Sequence, residues 1–126
     1  MIESIESVLE DGYVHITANA SIVTSEEYRS LVKHYIAEIE RSGLNKAIID
    51  ETKVKYAPSF LLQMDIVDFY SNEEISEKIR SWRVACIGPS ESMLFFKFWE
   101  DLAQKAGYEQ KACSSLGDAQ NYLEDH

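Results

Sequence analysis

A chain of 126 residues with 45% apolar side chains, among them 7 Tyr, 5 Phe and 2 Trp, is the size of one domain and can bury its own core, which excludes a disordered or low-complexity segment. Its 22 acids against 12 bases give a net charge of −10 with no basic patch, which excludes nucleic acid and anionic membrane surfaces as partners. Two cysteines without CxxC spacing, an acidic opening stretch (MIESIESVLEDG) and no apolar run near the ~20 residues of a bilayer span predict buried reduced thiols in a cytoplasmic protein that is not an integral membrane protein.

The first element reads as a β-hairpin. Asp11-Gly12 is a two-residue turn signal, and Tyr13 to Ala18 alternates, with Val14, Ile16 and Ala18 on one face. The first strand covers about Ile5 to Glu10. Thr24-Ser-Glu-Glu27 is a capping box, a hydroxyl followed three residues later by a carboxylate. The helix it opens carries Tyr28, Leu31, Val32, Tyr35, Ile36 and Ile39 as one apolar stripe, and Gly43 is its C-cap.

Lys46 to Asp50 predicts a short buried strand that runs into the acidic pair Asp50-Glu51 and then a loop to Pro58-Ser59. Ser59 to Tyr70 predicts a helix that is apolar over most of its circumference. Ser71-Asn-Glu-Glu74 is a second capping box, continued at helical spacing by Ile75, Ile79 and Trp82. Val84 to Ile87 is another buried strand, broken by Gly88-Pro89-Ser90. A helix follows from about Ser92 to Ala106 with Phe95, Phe98, Trp99, Leu102 and Ala106 as its stripe, and Gly107 ends it. Tyr108 to Cys113 is the last strand, and Ser115 caps a terminal helix whose apolar side is Leu116, Ala119, Tyr122 and Leu123. The order ββ-α-β-α(α)-β-α-β-α predicts one α/β domain over residues 1–126, a mixed sheet with a parallel inner part and helices packed on it.

The chemistry-bearing residues predict no catalytic site. His15 falls mid-strand and His34 on the polar side of a helix; neither lies at a strand's C-terminal end, and His126 is the last residue. HxxxH, ExxH, GxSxG, GxGxxG and P-loop patterns are absent, so no metal, no cofactor and no enzymatic activity are expected. Asp50 and Glu51 are neighbours on a strand, so their side chains point to opposite faces and do not form a facing acid/base pair unless the strand ends between them. Asp50 anchors the following loop or helps form a cleft with Ser59 and Ser90. Ser59, at a helix start, is an N-cap or a phosphorylation site, where a phosphate would meet the positive end of the helix dipole. Phe95, Phe98 and Trp99 pack the core or, with Phe60, Met64 and Tyr70, line a pocket for a lipid-like ligand.

Four segments resemble the SpoIIAA-like branch of the STAS and SEC14-like domains: GYVHITANA after the hairpin turn, AIIDET after the first helix, WRVACIG before the third main helix, and the closing helix ending in DAQNYLED. The resemblance covers nearly the whole chain. It implies a STAS-like mixed sheet backed by helices, and a regulatory or protein-interaction role without catalysis. Anti-anti-sigma members carry an Asp-Ser-Ser-Gly-like motif at the start of the helix after the central strand, with the second serine as phosphoacceptor. Here that place reads Pro58-Ser59-Phe60-Leu61, so Ser59 matches the first serine and Phe60 takes the acceptor position. The SEC14-like comparison implies a cavity for a small apolar ligand between sheet and helices. The expected ligand or partner surface is therefore Asp50, Tyr56, Ser59, Phe60, Met64 and Ser90, with Ser59 as a phosphosite; the expected partner is another protein, a second copy in a homodimer, or a small apolar ligand.

Overall fold

Asp11-Gly12 does close a hairpin in the computed structural model, which describes residues 1–58 and 80–124. Strand β1 (Ile2–Leu9) pairs antiparallel with β2 (Val14–Ile22), and Glu10 N–H donates to the Tyr13 carbonyl at 2.9 Å across the turn. Only Gly12 of the turn pair takes a positive φ, 89°, the value that a residue without Cβ adopts at little cost.

Helix α1 (Ser25–Ser42) starts at the expected capping box. The Thr24 hydroxyl accepts the Glu27 N–H at 3.1 Å, and Glu27 Oε1 accepts the Thr24 N–H at 3.1 Å. Its stripe buries Tyr28, Leu31, Tyr35 and Ile39, and Gly43 ends it with φ 73°. Strand β3 (Lys46–Tyr56) is twice as long as the Lys46–Asp50 stretch expected. The segment read as a loop continues as strand because Val54 and Tyr56 are buried while Lys53 and Lys55 face solvent, and because β2 itself runs on to Ile22 and pairs with it. The helix expected over Ser59–Tyr70, the second capping box and the residues Ser59, Phe60, Met64 and His126 lie outside the described residues.

Strand β4 (Arg83–Ile87) leads through Gly88 and a short 3-10 turn, Ser90–Ser92, into α2 (Met93–Lys105). Strand β5 (Glu109–Cys113) and α3 (Leu116–Glu124) complete the chain, with the Ser115 hydroxyl accepting the Asp118 N–H at 3.1 Å as the N-cap. The strand order is β1-β2-β3-β4-β5: antiparallel at the first pair, parallel at the other three. Parallel steps taken in one direction with right-handed crossovers put α1 and α2 on the same face. There they meet Ile16, Ala18, Ile49 and Cys86 in the larger core, while α3 closes the opposite face with Ala119 and Leu123 against Ile48, Ala85 and Ile87. Cys86 and Cys113 are free and buried, as expected.

The stripe expected on α2 is rotated. Trp99 is buried, but Phe98 is 59% exposed, and the buried positions beside Trp99 are Phe96, Glu100 and Ala103. The run MLFFKFW is apolar at nearly every position, so periodicity leaves the phase open by one residue, about 100° of rotation. Two tertiary contacts decide it. Gly88 lets the Phe96 ring approach so closely that a Cβ there would lie 2.5 Å from the ring, and the Glu100 carboxylate accepts the Ala112 N–H of β5 at 2.9 Å.

Candidate functional site

The site begins with an irregularity in β3. Opposite Thr17, Ala18 and Asn19 of β2, the partner strand runs Asp50, Glu51, Thr52, Lys53, one residue more than its neighbour. That extra residue is a β-bulge, and it reverses the alternation of faces. Without it, Glu51 and Tyr56, five residues apart, would point to opposite sides. With it, both point toward α1 and α2, and the Tyr56 hydroxyl donates to Glu51 Oε1 at 2.8 Å. Asp50 Oδ1 accepts the backbone N–H of Thr52 at 2.9 Å and its hydroxyl at 2.7 Å, so this carboxylate is engaged in shaping the bulge. Asp50 pairs with Ile87, the last residue of β4, so Glu51 sits just beyond the C-terminal end of that parallel pairing, where open α/β sheets place their ligands.

From α1, the Tyr35 hydroxyl donates to Glu51 Oε2 at 2.5 Å. Each Glu51 oxygen therefore accepts one phenol, with the side chain only 4% exposed. Over this floor lies a cavity of about 60 Å³ between α1, α2 and the sheet. Its walls are apolar and aromatic, with Val32, Ile36, Trp82 and Phe95 half-buried at the rim and Ile49, Phe96 and Trp99 inside. Tyr56, Phe95 and Phe96 form a tight ring cluster beside it, with centroids 5.6–5.9 Å apart. Among the described residues the buried Trp99 indole N–H has no hydrogen-bond acceptor.

Burial pushes the Glu51 carboxyl above its ordinary range; the two phenol hydrogen bonds act against that, and the Asp50 charge adds to it. The same burial, reinforced by the Glu51 charge, pushes Tyr28, Tyr35 and Tyr56 well up, and the Cys86 thiol likewise. The phenols thus stay protonated donors, and Cys86 is a poor nucleophile because its thiolate is disfavoured. Among the described residues no group of three or more His, Cys, Asp and Glu side chains is placed to hold a metal ion.

Of the residues singled out from sequence, Tyr56 belongs to this site through its bond to Glu51. Asp50 is on the opposite face of β3 from Glu51 and Tyr56. Ser90 begins the 3-10 turn ahead of α2. His15 is half-buried in β2, and His34 Nδ1 lies 2.8 Å from the Ser30 carbonyl on the outer side of α1. Sequence reasoning missed Glu51, Tyr35 and Trp82 as site residues. The available signal was Glu51 itself, an acid on the same strand as the apolar Val54 and Tyr56, but reading it requires knowing that a bulge separates the two halves.

The chain matches no protein-family model and no curated protein. It has a SpoIIAA-like fold. A crystal structure of an uncharacterized protein from the DUF3478 family with a SpoIIAA-like fold, from Shewanella loihica PV-4, superposes with a TM-score of 0.54 at 21% identity, covering 98% of this chain and 92% of that one. Among the described residues no helix is long and apolar enough to cross a membrane.

Proposed function

We propose that this protein is a non-enzymatic regulatory binding domain of the STAS type that holds a small ligand in the cavity between α1, α2 and the sheet. The observation that carries this reading is the apolar, aromatic-walled space over the Glu51 floor. In a purely structural core a buried carboxylate would be replaced by an apolar residue at lower cost. Binding is favoured over turnover because the Tyr35 and Tyr56 phenols and the Cys86 thiol are held protonated rather than poised as nucleophiles. The test is native mass spectrometry of the gently purified protein, with thermal shifts against short-chain aliphatic alcohols, amines and acids. Bound ligand or a raised melting temperature is expected, abolished by the cavity-filling substitution Val32→Phe. Apo protein alone with no shift from any of them would overturn the reading.

A second reading rests on a separate observation. Leu94 and Phe98, one turn apart on α2, are 89% and 59% exposed, directly outside the wall residues Phe95 and Trp99. In this reading α2 presents its outer side to a protein partner, another chain or a second copy, and reports the state of the cavity. Phe98→Lys is expected to abolish a complex seen by light scattering or pull-down. An unchanged complex would remove this surface from the reading.

A further inference from the structure

The geometry points to a methylated ammonium group, carried by a small organic cation such as a choline-type molecule, as the ligand chemistry of the cavity. This rests on the binding reading above and specifies it.

Two features of the cavity select for positive charge. The first is the wall. Tyr28, Tyr35, Trp82, Phe95, Phe96 and Trp99 all line this one small space. Aromatic faces attract a cation through the ring quadrupole, most strongly where water is excluded, and a box of such faces is how proteins recognise methylated ammonium groups. The second is the floor. Glu51 is 4% exposed; among the described residues it accepts only the two neutral phenols, and no lysine, arginine or histidine pairs with it or lines the cavity. A carboxylate buried without a cation is costly, and a cation delivered by a ligand would offset that cost.

Size agrees with charge. At roughly 10–15 Å³ for each water-sized occupant, a cavity of about 60 Å³ takes some four to six heavy atoms. That matches the trimethylammonium head of such a ligand, with the rest of the molecule at the mouth, and is too small for a long acyl chain. The Trp99 indole N–H, without an acceptor among the described residues, offers a donor to an oxygen on the same ligand. The protein's net charge of −10 favours the approach of a cation.

The test compares choline with its uncharged isostere, in which carbon replaces the nitrogen, by isothermal titration on the full chain. Choline is expected to bind at least tenfold more tightly, and Glu51→Gln to bring the two to parity. Equal binding of the isostere to the native protein, or tighter binding, would overturn the cation assignment and leave the small-ligand reading standing. Failure of choline, the isostere and the aliphatic panel together would overturn both. If Glu51→Gln does not fold, the native protein's preference between the two ligands still decides the matter.

Discussion

Two neighbouring carboxylates in one strand, Asp50 and Glu51, do different work because one residue of backbone separates them. Asp50 bonds to Thr52 at the bulge, whereas Glu51 is buried over the cavity floor between two phenols. Removing one donor, by Tyr35→Phe or Tyr56→Phe, leaves the buried carboxyl short of a partner and is expected to cost about 1–3 kcal/mol in urea unfolding. The double variant should cost a different amount from the sum, because both bonds end on one group. Glu51 also gives stability a pH dependence of known sign. Its pKa is raised in the folded state, so the folded protein keeps this proton where the unfolded chain, at 4.5, has begun to lose it. The stability it contributes is therefore fully present below pH 4.5 and is lost as pH rises through the folded value. Glu51→Gln removes that loss, so the melting temperature of the variant relative to the native protein should increase between pH 4.5 and pH 7. A difference that stays constant with pH would show that Glu51 is not the group responsible.

At the scale of elements, the bulge and the phase of α2 together build the site. The bulge puts Glu51 and Tyr56 on one face of β3, and the phase of α2 turns Phe96 and Trp99 inward. Gly88 holds that phase, since the Phe96 ring occupies the place where its Cβ would stand. Gly88→Ala should therefore displace Phe96, cost about 1–3 kcal/mol through overpacking, and weaken any cavity ligand as well. Thermal melts and ligand titration on the same variant check both effects. Neither feature shows as a motif. The capping box at Thr24, the C-cap at Gly43 and the Asp11-Gly12 turn were legible because each is a local contract between residues a few positions apart. The phase of an almost wholly apolar helix is not local, and no spacing rule selects between Phe96 and Phe98.

For the whole molecule, the open sheet has two edges, and each is guarded differently. On β1, Glu3 and Glu6 are exposed, and facing copies would repel. On β5 the guard is α2. The Ala112 N–H donates to Glu100 Oε1 at 2.9 Å, the Gln104 amide donates to the Gln110 carbonyl at 3.2 Å, and the Lys97 ammonium lies 3.5 Å from the Ala112 carbonyl. Three side chains spaced along one helix thus occupy backbone groups that another strand would use. Glu100→Ala leaves the buried Ala112 N–H without its acceptor, so we expect a loss of about 1–3 kcal/mol together with concentration-dependent association. Light scattering across a concentration series, set beside urea unfolding, would register both; a fully monomeric variant would show that β5 is protected by other means.

The α/β class, the hairpin, the helix ends and the alternation that buries Val14, Ile16 and Ala18 are readable from the residues, because these depend on propensity, periodicity and contacts between near neighbours. Packing and strand pairing set the rest: β3 runs to Tyr56, a bulge puts Glu51 and Tyr56 on one face, and Tyr35 from α1 and Tyr56 from β3 converge on one carboxylate under an aromatic wall. Those contacts join residues 5 and 16 positions apart through a register shift. A register shift is settled by how two strands pair and two helices pack, and no short stretch of sequence contains that information.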